Sequence, residues 1–293
     1  MRVPNPLKPW FVYRPGQLLR RVVRTVRPPE NPVQVVDLPW GCTIEIDTRE
    51  SIGRSIWTAG VHDLAVVEVL FRLADSKKLA IDAGANIGAM TGALAARAGE
   101  VWAFEPHPVV FPRLAANVKR FTENPGFAPC QLFQAALSDV ETNMCLEEPE
   151  EFTGNQGTAR ITVESGTPVQ ALRLDSLIGE REVGVMKLDV EGHELNVLRG
   201  AQETLAAERF KHIVFEDHEG SDSPVCRLLR EHGYALFEVG WRLGGPVLAA
   251  PGSGAHRAYE APSYLATRVS DEAFARCGSG GWECLHAAAG RSR

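Results

Sequence analysis

The chain has 293 residues, 44% of them hydrophobic, and its formal net charge is −6. That length and composition can bury a substantial core, as expected of a globular protein. The negative net charge argues against a general nucleic-acid-binding protein. No apolar run approaches the ~20 residues of a membrane span, and the start of the chain lacks the apolar stretch of a signal peptide.

The cysteines indicate a compartment rather than a site. None of the six belongs to a Cys-x-x-Cys pair, so their spacing predicts neither a disulfide framework nor a zinc site. We therefore expect thiols in a reducing cytoplasm. The six positions are Cys42, Cys130, Cys145, Cys226, Cys277 and Cys284.

The first part of the chain is basic. Residues 1–27 contain seven basic residues and no acidic one, and between Gln17 and Val26 the apolar residues recur at helical spacing. Such a helix could contact an acidic carrier or an anionic membrane surface. We favour the alternative in which the helix packs its apolar stripe on the main domain and exposes its arginines to solvent.

The pattern then changes along the chain. Residues 33–57 are expected to form short β segments, because residues 43–47 alternate at period two, and residues 64–73 are expected to form a helix. From residue 79 onward strands and helices alternate, which predicts a doubly wound, mostly parallel α/β sheet. Strands are predicted at 79–82, 101–105, 131–136, 184–189 and 212–217, and helices near 89–97, 108–121, 193–207 and 222–232.

Two segments depart from this alternation. Residues 140–175 are predicted to be an insertion, within which the turn-rich residues 153–158 could help to close a ligand site. After Gly233, residues 234–240 and 264–269 are predicted to be strands. The loop between them is too short for a crossover helix, so we expect them to pair antiparallel.

The most informative stretch is residues 79–88, a short apolar strand that ends at Asp82 and enters a turn containing Gly84 and Gly88. Open α/β sheets bind ligands where such strands end, and glycine lets the backbone approach a ligand closely. About one strand–helix unit later, a second apolar run ends at Glu105. This succession is typical of a nucleoside site in which the acid holds the ribose hydroxyls.

The spacing of the glycines indicates which nucleoside binds. Dinucleotide sites use G-x-G-x-x-G around a pyrophosphate, whereas here Asp82 precedes Gly84 by two residues. A carboxylate suits a pyrophosphate poorly but suits a ligand that carries an ammonium and a sulfonium. The sequence therefore predicts S-adenosylmethionine as the cofactor.

A third strand end could contact the adenine. Residues 131–139 form a predicted strand that ends in small residues, a hydroxyl and an acid. The backbone of Ala136 and the side chain of Ser138 or Asp139 could recognise the adenine edge. The same Ser-Asp pair would also make an ordinary turn.

A second group of ionisable residues is predicted at the same edge of the sheet. Asp189 and Glu191 follow one strand, and Glu216 and His218 end the next. These groups could bind the cofactor ammonium, deprotonate a substrate hydroxyl or hold a divalent cation. Their spacing matches no standard metal motif, so no metal ligand is predicted and the four are the candidate catalytic residues.

Three blocks of sequence carry a resemblance to a known family. They are residues 81–88, residues 103–108, and residues 187–194 followed by 197–200. Together they resemble the FkbM family of class I S-adenosylmethionine-dependent methyltransferases, over about residues 55–240. The resemblance implies a seven-stranded sheet with an antiparallel last strand, and methylation of hydroxyl groups on sugars, polyketides and similar secondary metabolites.

The same resemblance implies roles for individual residues. By match of motif, Asp82, Gly84 and Gly88 would lie at the methionine end of the cofactor and Glu105 at the ribose. His193 occupies a variable position of the family pattern and is not expected to be catalytic. The candidate cofactor-binding residues are Asp82, Gly84, Ala85, Asn86, Gly88, Glu105, Pro106, Ala136, Ser138 and Asp139.

The whole chain is thus expected to be an O-methyltransferase whose acceptor is a hydroxyl-bearing small molecule or glycan, and it could form a homo-oligomer. We expect the methyltransferase domain at residues 61–270, after an N-terminal extension at 1–60 and before a C-terminal tail at 271–293. Two alternatives stay open. A nicotinamide-dependent oxidoreductase is disfavoured by the glycine spacing and Asp82, and a non-catalytic S-adenosylmethionine-binding module by the carboxylate and histidine clusters.

Overall fold

The computed structural model describes residues 7–27, 29–147, 160–162, 166–255 and 262–290, so the predicted turn-rich segment 153–158 lies outside the described residues. The helices are Pro9–Val12 (α1), Pro15–Val26 (α2), Ser51–Ala59 (α3), Leu64–Leu73 (α4), Ala89–Ala95 (α5), Val110–Thr122 (α6), Leu174–Ile178 (α7), Glu194–Arg199 (α8), Gln202–Ala206 (α9), Pro224–Glu231 (α10), Ser270–Cys277 (α11) and Glu283–Gly290 (α12). The strands are Val33–Asp37 (β1), Thr43–Asp47 (β2), Leu79–Ala83 (β3), Glu100–Phe104 (β4), Cys130–Phe133 (β5), Ala136–Leu137 (β6), Asn143–Glu147 (β7), Arg160–Thr162 (β8), Thr167–Leu172 (β9), Val183–Leu188 (β10), Phe210–Glu216 (β11), Ala235–Arg242 (β12), Gly245–Ala249 (β13) and Ser263–Thr267 (β14).

The main sheet contains eight strands in the order β13-β12-β14-β11-β10-β3-β4-β5. Strands β5, β4, β3, β10 and β11 run parallel, and β14 is antiparallel to both of its neighbours. The predicted doubly wound, mostly parallel sheet with an antiparallel last strand is therefore confirmed. The antiparallel pairing of the two segments after Gly233 is confirmed as well.

The main sheet has one strand more than the seven predicted. Strand β13 folds back on β12 through a two-residue turn, so Arg242 pairs with Gly245. The residues of β13 show no alternation of buried and exposed positions. No period-two signal therefore indicated this hairpin in the sequence.

Helices cover the main sheet on both faces. Along β10, Val185 belongs to one hydrophobic cluster and Met186 to the other, because successive strand side chains point to opposite faces. The first cluster includes residues of α4, α5 and α6, and the second includes residues of α7, α8, α9 and α10. Strands β3 and β10 are buried along their whole length, as expected of parallel strands covered on both faces.

The predicted insertion forms a smaller sheet beside the main one. Strands β7, β8 and β9 join β6 in the order β6-β9-β7-β8, and Met144, Leu146 and Val169 contribute to a small apolar cluster beneath it. Because β6 follows directly after β5, this sheet lies next to the edge of the main sheet where β5 ends.

The predicted β region 33–57 is only partly β. Strands β1 and β2 pair antiparallel, but helix α3 begins at Ser51, so the prediction is wrong for the last seven residues. Ile52, Ile56 and Ala59 recur at helical spacing, and the last two are buried by the helix. This short helical period follows directly on the period-two pattern.

The predicted helix over residues 193–207 consists of two helices, α8 and α9. At the break, a Cβ on Gly200 would lie 1.9 Å from the Ser138 carbonyl oxygen, so the backbones are in close contact. The second helix then has its own cap, because the Asp175 carboxylate accepts a hydrogen bond from the Thr204 backbone N–H at 2.9 Å. Contacts with two distant segments decide this boundary, and the prediction of one continuous helix is wrong.

Helix α2 forms where predicted, but it does not bury its apolar stripe. Leu19, Val22, Val23 and Val26 are exposed, whereas the polar Gln17 is buried. The opposite, polar face of the helix contacts α3, so the favoured interpretation of this helix is wrong.

In the described ranges, no helix combines the length and hydropathy needed to cross a membrane.

A buried ion pair connects the C-terminal helices to the rest of the fold. Arg72 Nε and Glu68 Oε1, both on α4, lie 2.5 Å apart with both side chains out of solvent. The Glu68 carboxylate also accepts hydrogen bonds from the backbone N–H groups of Glu283 and Cys284 at 2.7 and 2.8 Å. Arg72 donates to the Gly281 carbonyl oxygen at 3.0 Å. Part of the predicted C-terminal tail is therefore packed against the core.

The turn after β3 and the end of β10 are in close backbone contact. Gly84, directly after β3, has a φ of +80°, and a Cβ there would lie 1.8 Å from the Asp189 carbonyl oxygen. Glycine alone fits this contact without displacing one of the two segments. The turn after β3 is thereby held against the end of β10.

We expect Glu68→Ala to lower the free energy of unfolding by about 3–5 kcal/mol, because it removes the only buried carboxylate that pairs with the buried Arg72 guanidinium in the described ranges. The matched control is Glu182→Ala, which removes an exposed partner of Lys78 and should hardly move the unfolding midpoint. Urea unfolding followed by circular dichroism measures both variants. Equal shifts would contradict a structural role for the buried pair.

We expect Gly84→Ala to destabilise the fold by more than about 3 kcal/mol, because the added methyl group must displace backbone. Gly252→Ala is the matched control, since its φ is also +80° but nothing lies within 4 Å of its Cβ position. That variant should lose only the free energy that it costs to hold an alanine in the left-handed backbone region, about 1–2 kcal/mol. Similar shifts of the urea midpoint in the two variants would rule out the steric explanation.

Candidate functional site

A cavity of about 230 Å³ opens where β3, β4, β10 and β11 end. Its wall also includes the start of α3 and the loop before α4. Parallel α/β sheets bind their ligands at this edge. The ionisable and hydroxyl side chains of the wall are Ser51, His62, Asp63, Glu105, His107, Lys187, Asp189, Glu191, Glu216 and Ser263.

The structure brings most of the predicted site residues together at this cavity. The predicted residues that line it are Gly84, Ala85, Asn86, Glu105, Pro106, Ala136, Asp189, Glu191 and Glu216. Asp82, Gly88, Ser138, Asp139 and His218 lie outside the wall. Glu105, which is predicted to bind the ribose, and three of the four predicted catalytic residues thus face the same cavity.

Glu105 is held in place by the glycine turn. Its carboxylate accepts hydrogen bonds from the backbone N–H groups of Asn86 and His107, both at 2.9 Å. Burial raises the pKa of Glu105, and these two donors oppose the shift. A carboxylate has about four acceptor positions, so capacity for two further hydrogen bonds remains.

Asp82 lies beneath the wall rather than in it. Its carboxylate is fully buried and accepts a hydrogen bond from Thr91 Oγ1 at 2.6 Å. Burial raises the pKa of Asp82, and the Lys187 ammonium, 3.7 Å away, opposes the shift. Asp82 therefore contacts the cavity indirectly, through Lys187.

Lys187 connects the glycine turn to the acidic strand ends. Its Nζ donates to the Gly84 carbonyl oxygen at 2.7 Å and lies 3.2 Å from Asp189 Oδ2. Burial lowers the pKa of Lys187, but Asp189 and Asp82 outweigh burial and raise it overall. Among the described residues of the wall, Lys187 is the only lysine or arginine. The carboxylates therefore outnumber the cations, which favours a ligand that carries positive charge.

The ends of β10 and β11 form an acidic cluster on one side of the cavity. Burial raises the pKa of Glu216 to about 7, and the neighbouring Asp189 charge adds to the shift. Asp63 and Glu191 act in the same direction, whereas His218 opposes them. A carboxylate with a pKa near neutrality is well matched to accepting a proton at physiological pH.

His218 contacts this acidic cluster from the solvent side. Its side chain is exposed, and its Nε2 lies 2.8 Å from Glu216 Oε1. The histidine can therefore orient Glu216 without lining the cavity.

Over the part of the chain that the structure describes, no group of three or more His, Cys, Asp or Glu side chains has the arrangement of a metal site.

The side chains of Ser138 and Asp139 are engaged away from the cavity. Ser138 Oγ is 2.9 Å from His193 Nε2, and Asp139 accepts a hydrogen bond from Asn196 Nδ2 at 3.2 Å. Both partners lie at the start of α8, far along the chain. Of the three residues predicted at the adenine, only Ala136 lines the cavity.

Several polar residues of the wall carried no functional prediction. Ser51 and His62 come from segments before β3, where no motif surrounds them. Burial lowers the pKa of His62 to about 4, so its imidazole is neutral at physiological pH. Lys187 could have been found, because it opens the family-like block 187–194 and precedes Asp189 by two residues on the same strand end.

Unfavourable backbone conformations are concentrated at the cavity. Within the described ranges, the non-glycine residues with positive φ are Asp63, Asn86, Glu191 and Glu208. The first three line the cavity. Such conformations cost free energy and cluster at functional sites, so their distribution supports this cavity as the candidate functional site.

Comparison with known proteins identifies the family. The model of the methyltransferase FkbM domain matches residues 82–236, more than half of the chain. The hexuronic acid methyltransferase AglP of Haloferax volcanii is 33% identical over 190 residues, which cover 64% of this chain and 74% of that protein. Methyltransferase 1 of Beauveria bassiana is 26% identical over 183 residues, covering 53% of this chain and 72% of that protein.

A crystal structure of methyltransferase FkbM from Methylobacillus flagellatus is 14% identical, with a TM-score of 0.45, over 65% of this chain and 44% of that one. The family match itself spans the glycine turn, Glu105 and both acidic strand ends. This chain therefore belongs to the methyltransferase FkbM family.

Proposed function

We propose that this enzyme transfers the methyl group of S-adenosylmethionine to a hydroxyl group of a sugar or a related secondary metabolite. The shared cavity wall carries the proposal, because Glu105 and the glycine turn face the same space as Asp189, Glu191 and Glu216. A nucleoside-binding side and a proton-accepting side thus meet in one cavity. The name of the 33% identical relative, a hexuronic acid methyltransferase, supports a sugar as the acceptor.

The donor side fits S-adenosylmethionine. Glu105 retains acceptor capacity for two ribose hydroxyls, and the apolar Phe104 and Leu137 of the wall offer contacts for an adenine ring. The excess of carboxylates complements an ammonium and a sulfonium. When bound, S-adenosylmethionine supplies an activated methyl group, so the protein has mainly to position the acceptor and accept its proton.

We assign the general base to Glu216. An alkyl hydroxyl is a weak nucleophile and needs a proton acceptor, and Glu216 has a pKa of about 7. In this proposal its carboxylate takes the proton of the acceptor hydroxyl, while His218 holds it from the solvent side at 2.8 Å. Glu191 and Asp189 raise the pKa of Glu216 by their charge, and Asp189 is also available to the cofactor ammonium.

Other predicted site residues act by positioning in this proposal. Asp82 supports Lys187, which donates to the Gly84 carbonyl oxygen. Ser138 and Asp139 bind the segment that opens α8. These contacts keep the strand ends in place around the cavity.

Family membership favours methyl transfer over a nicotinamide-dependent oxidoreductase. A module that only binds S-adenosylmethionine has little use for a half-buried carboxylate with a pKa near neutrality, so the acidic cluster favours an enzyme. The scattered spacing of the six cysteines, which includes no Cys-x-x-Cys pair, favours a reducing cytoplasm as the location of this enzyme.

We expect Glu105→Gln to weaken the binding of S-adenosylhomocysteine about ten- to hundredfold, since hydrogen bonds to a charged group contribute about 1.5–3 kcal/mol. Calorimetric titration measures the affinity, with NADH as a ligand that should not bind. Glu238→Gln is the matched control, because Glu238 is also buried and accepts hydrogen bonds from two backbone N–H groups. It lies outside the cavity and should leave the affinity unchanged. Full affinity in Glu105→Gln would contradict the ribose contact.

We expect turnover to be lost as the pH falls through about 7, because Glu216 can accept a proton only when ionised and its pKa is about 7. The pKa is raised by folding, so the ionised form predominates above this pH and declines below it. Release of S-adenosylhomocysteine with glucuronic acid glycosides as acceptors gives the pH profile. Titration of ¹³C-labelled glutamate carboxyls by NMR gives the pKa without any acceptor.

Glu216→Gln should remove this pH dependence and reduce turnover about 10²–10⁴-fold, with the affinity for S-adenosylhomocysteine retained. Glu219→Gln, at an exposed glutamate of the same loop, should leave the profile as it is. A wild-type profile in Glu216→Gln, or a carboxyl that titrates like an ordinary glutamate, would exclude Glu216 as the base.

A further inference from the structure

Helix α2 is attached to the protein by its polar face. Arg24 Nη1 donates to the Trp57 carbonyl oxygen at 2.5 Å, and the guanidinium lies 3.6 Å from the centroid of the Trp57 ring. Gln17 Nε2 donates to the Thr58 carbonyl oxygen at 3.3 Å. The Arg21 guanidinium lies over an aromatic ring of α1. A surface helix ordinarily packs its apolar stripe and exposes its polar face, so this helix is reversed.

The reversal leaves a continuous apolar stripe on the surface. Leu19, Val22, Val23 and Val26 follow the i, i+3, i+4, i+7 spacing of one helix face. Their exposed fractions are 68%, 48%, 52% and 71%. Contiguous exposed apolar residues of this kind mark interaction surfaces.

The charged residues of the helix and of the chain before it are all positive. Arg20 and Arg27 are exposed, and residues 1–27 contain seven basic residues and no acidic one. The long arginine side chains can place their charged heads beside an apolar surface while their stems lie along it. Whatever covers the stripe must therefore be apolar at its centre and tolerate or attract cations around it.

We infer that α2 docks the enzyme on an anionic lipid bilayer. An apolar stripe with flanking arginines is the pattern of a helix that lies in the membrane interface, with its apolar face among the acyl chains and its cations at anionic headgroups. The 12 residues of α2 make a helix of about 18 Å, which lies in the interface and does not span it.

A second copy of the chain is a poorer occupant of the same face. A two-fold dimer places the same surface on both partners, so the arginines beside the stripe of one copy would meet arginines of the other. Like charges in an apolar contact oppose association. A bilayer with anionic headgroups supplies both the apolar interior and the opposite charge.

Flotation of the full chain with lipid vesicles tests the inference. We expect binding to phosphatidylcholine vesicles that contain roughly a third phosphatidylglycerol, and at least about tenfold weaker binding to pure phosphatidylcholine. Leu19→Ser should weaken binding to the anionic vesicles about tenfold, which corresponds to about 1.4 kcal/mol. Leu243→Ser, the same change at an exposed leucine of the β12–β13 turn, should have no effect.

A second variant, expected to bind more tightly, shows that weaker binding comes from the loss of apolar surface and not from unfolding of the helix. Val22→Leu/Val23→Leu enlarges the stripe and favours helix formation, so it should bind the anionic vesicles more tightly than the unmodified chain. Binding that is absent, or that is equal in the Leu19→Ser and Leu243→Ser variants, would overturn the inference. So would a dimer in sedimentation velocity that Leu19→Ser abolishes while no variant binds vesicles.

Discussion

The backbone contact between the turn after β3 and the end of β10 is the constraint on which the site depends. A Cβ at Gly84 would lie 1.8 Å from the Asp189 carbonyl oxygen, so the two segments approach as closely as polypeptide allows. Lys187 reinforces the contact by donating to the Gly84 carbonyl oxygen at 2.7 Å. Since β3 and β10 are neighbours in the sheet, this junction sets the distance between the glycine turn and the acidic strand ends.

In the proposed mechanism, the charge distribution around that junction serves proton transfer at the expense of stability. Glu216 is held among other carboxylates, and its raised pKa records the free-energy cost of ionising it there. Backbone strain at Asn86 and Glu191 adds to this cost. Stabilising contacts lie elsewhere, as in the buried ion pair between Glu68 and Arg72 that secures the C-terminal helices. Enzymes commonly separate a strained site from a well-packed scaffold in this way.

The N-terminal helix shows how one pattern can fit two arrangements. Its apolar residues recur at helical spacing, and that period predicts a helix with one apolar face. The period carries no information about which face meets the protein. Arg24 decides the orientation by binding Trp57 through both a hydrogen bond and its ring, so a charged residue is the anchor and the apolar stripe is left for another surface.

The sequence by itself determined the sheet class, the glycine turn and the acid at Glu105, because strand runs and glycine positions are properties of neighbouring residues. Only the tertiary structure decided which polar groups face the cavity. The Asp82 carboxylate pairs with Lys187 beneath the cavity wall. The Ser138 hydroxyl forms a hydrogen bond with His193, 55 residues away. The β13 hairpin, the helix break at Gly200 and the orientation of α2 likewise follow from contacts between distant segments, which no local period encodes.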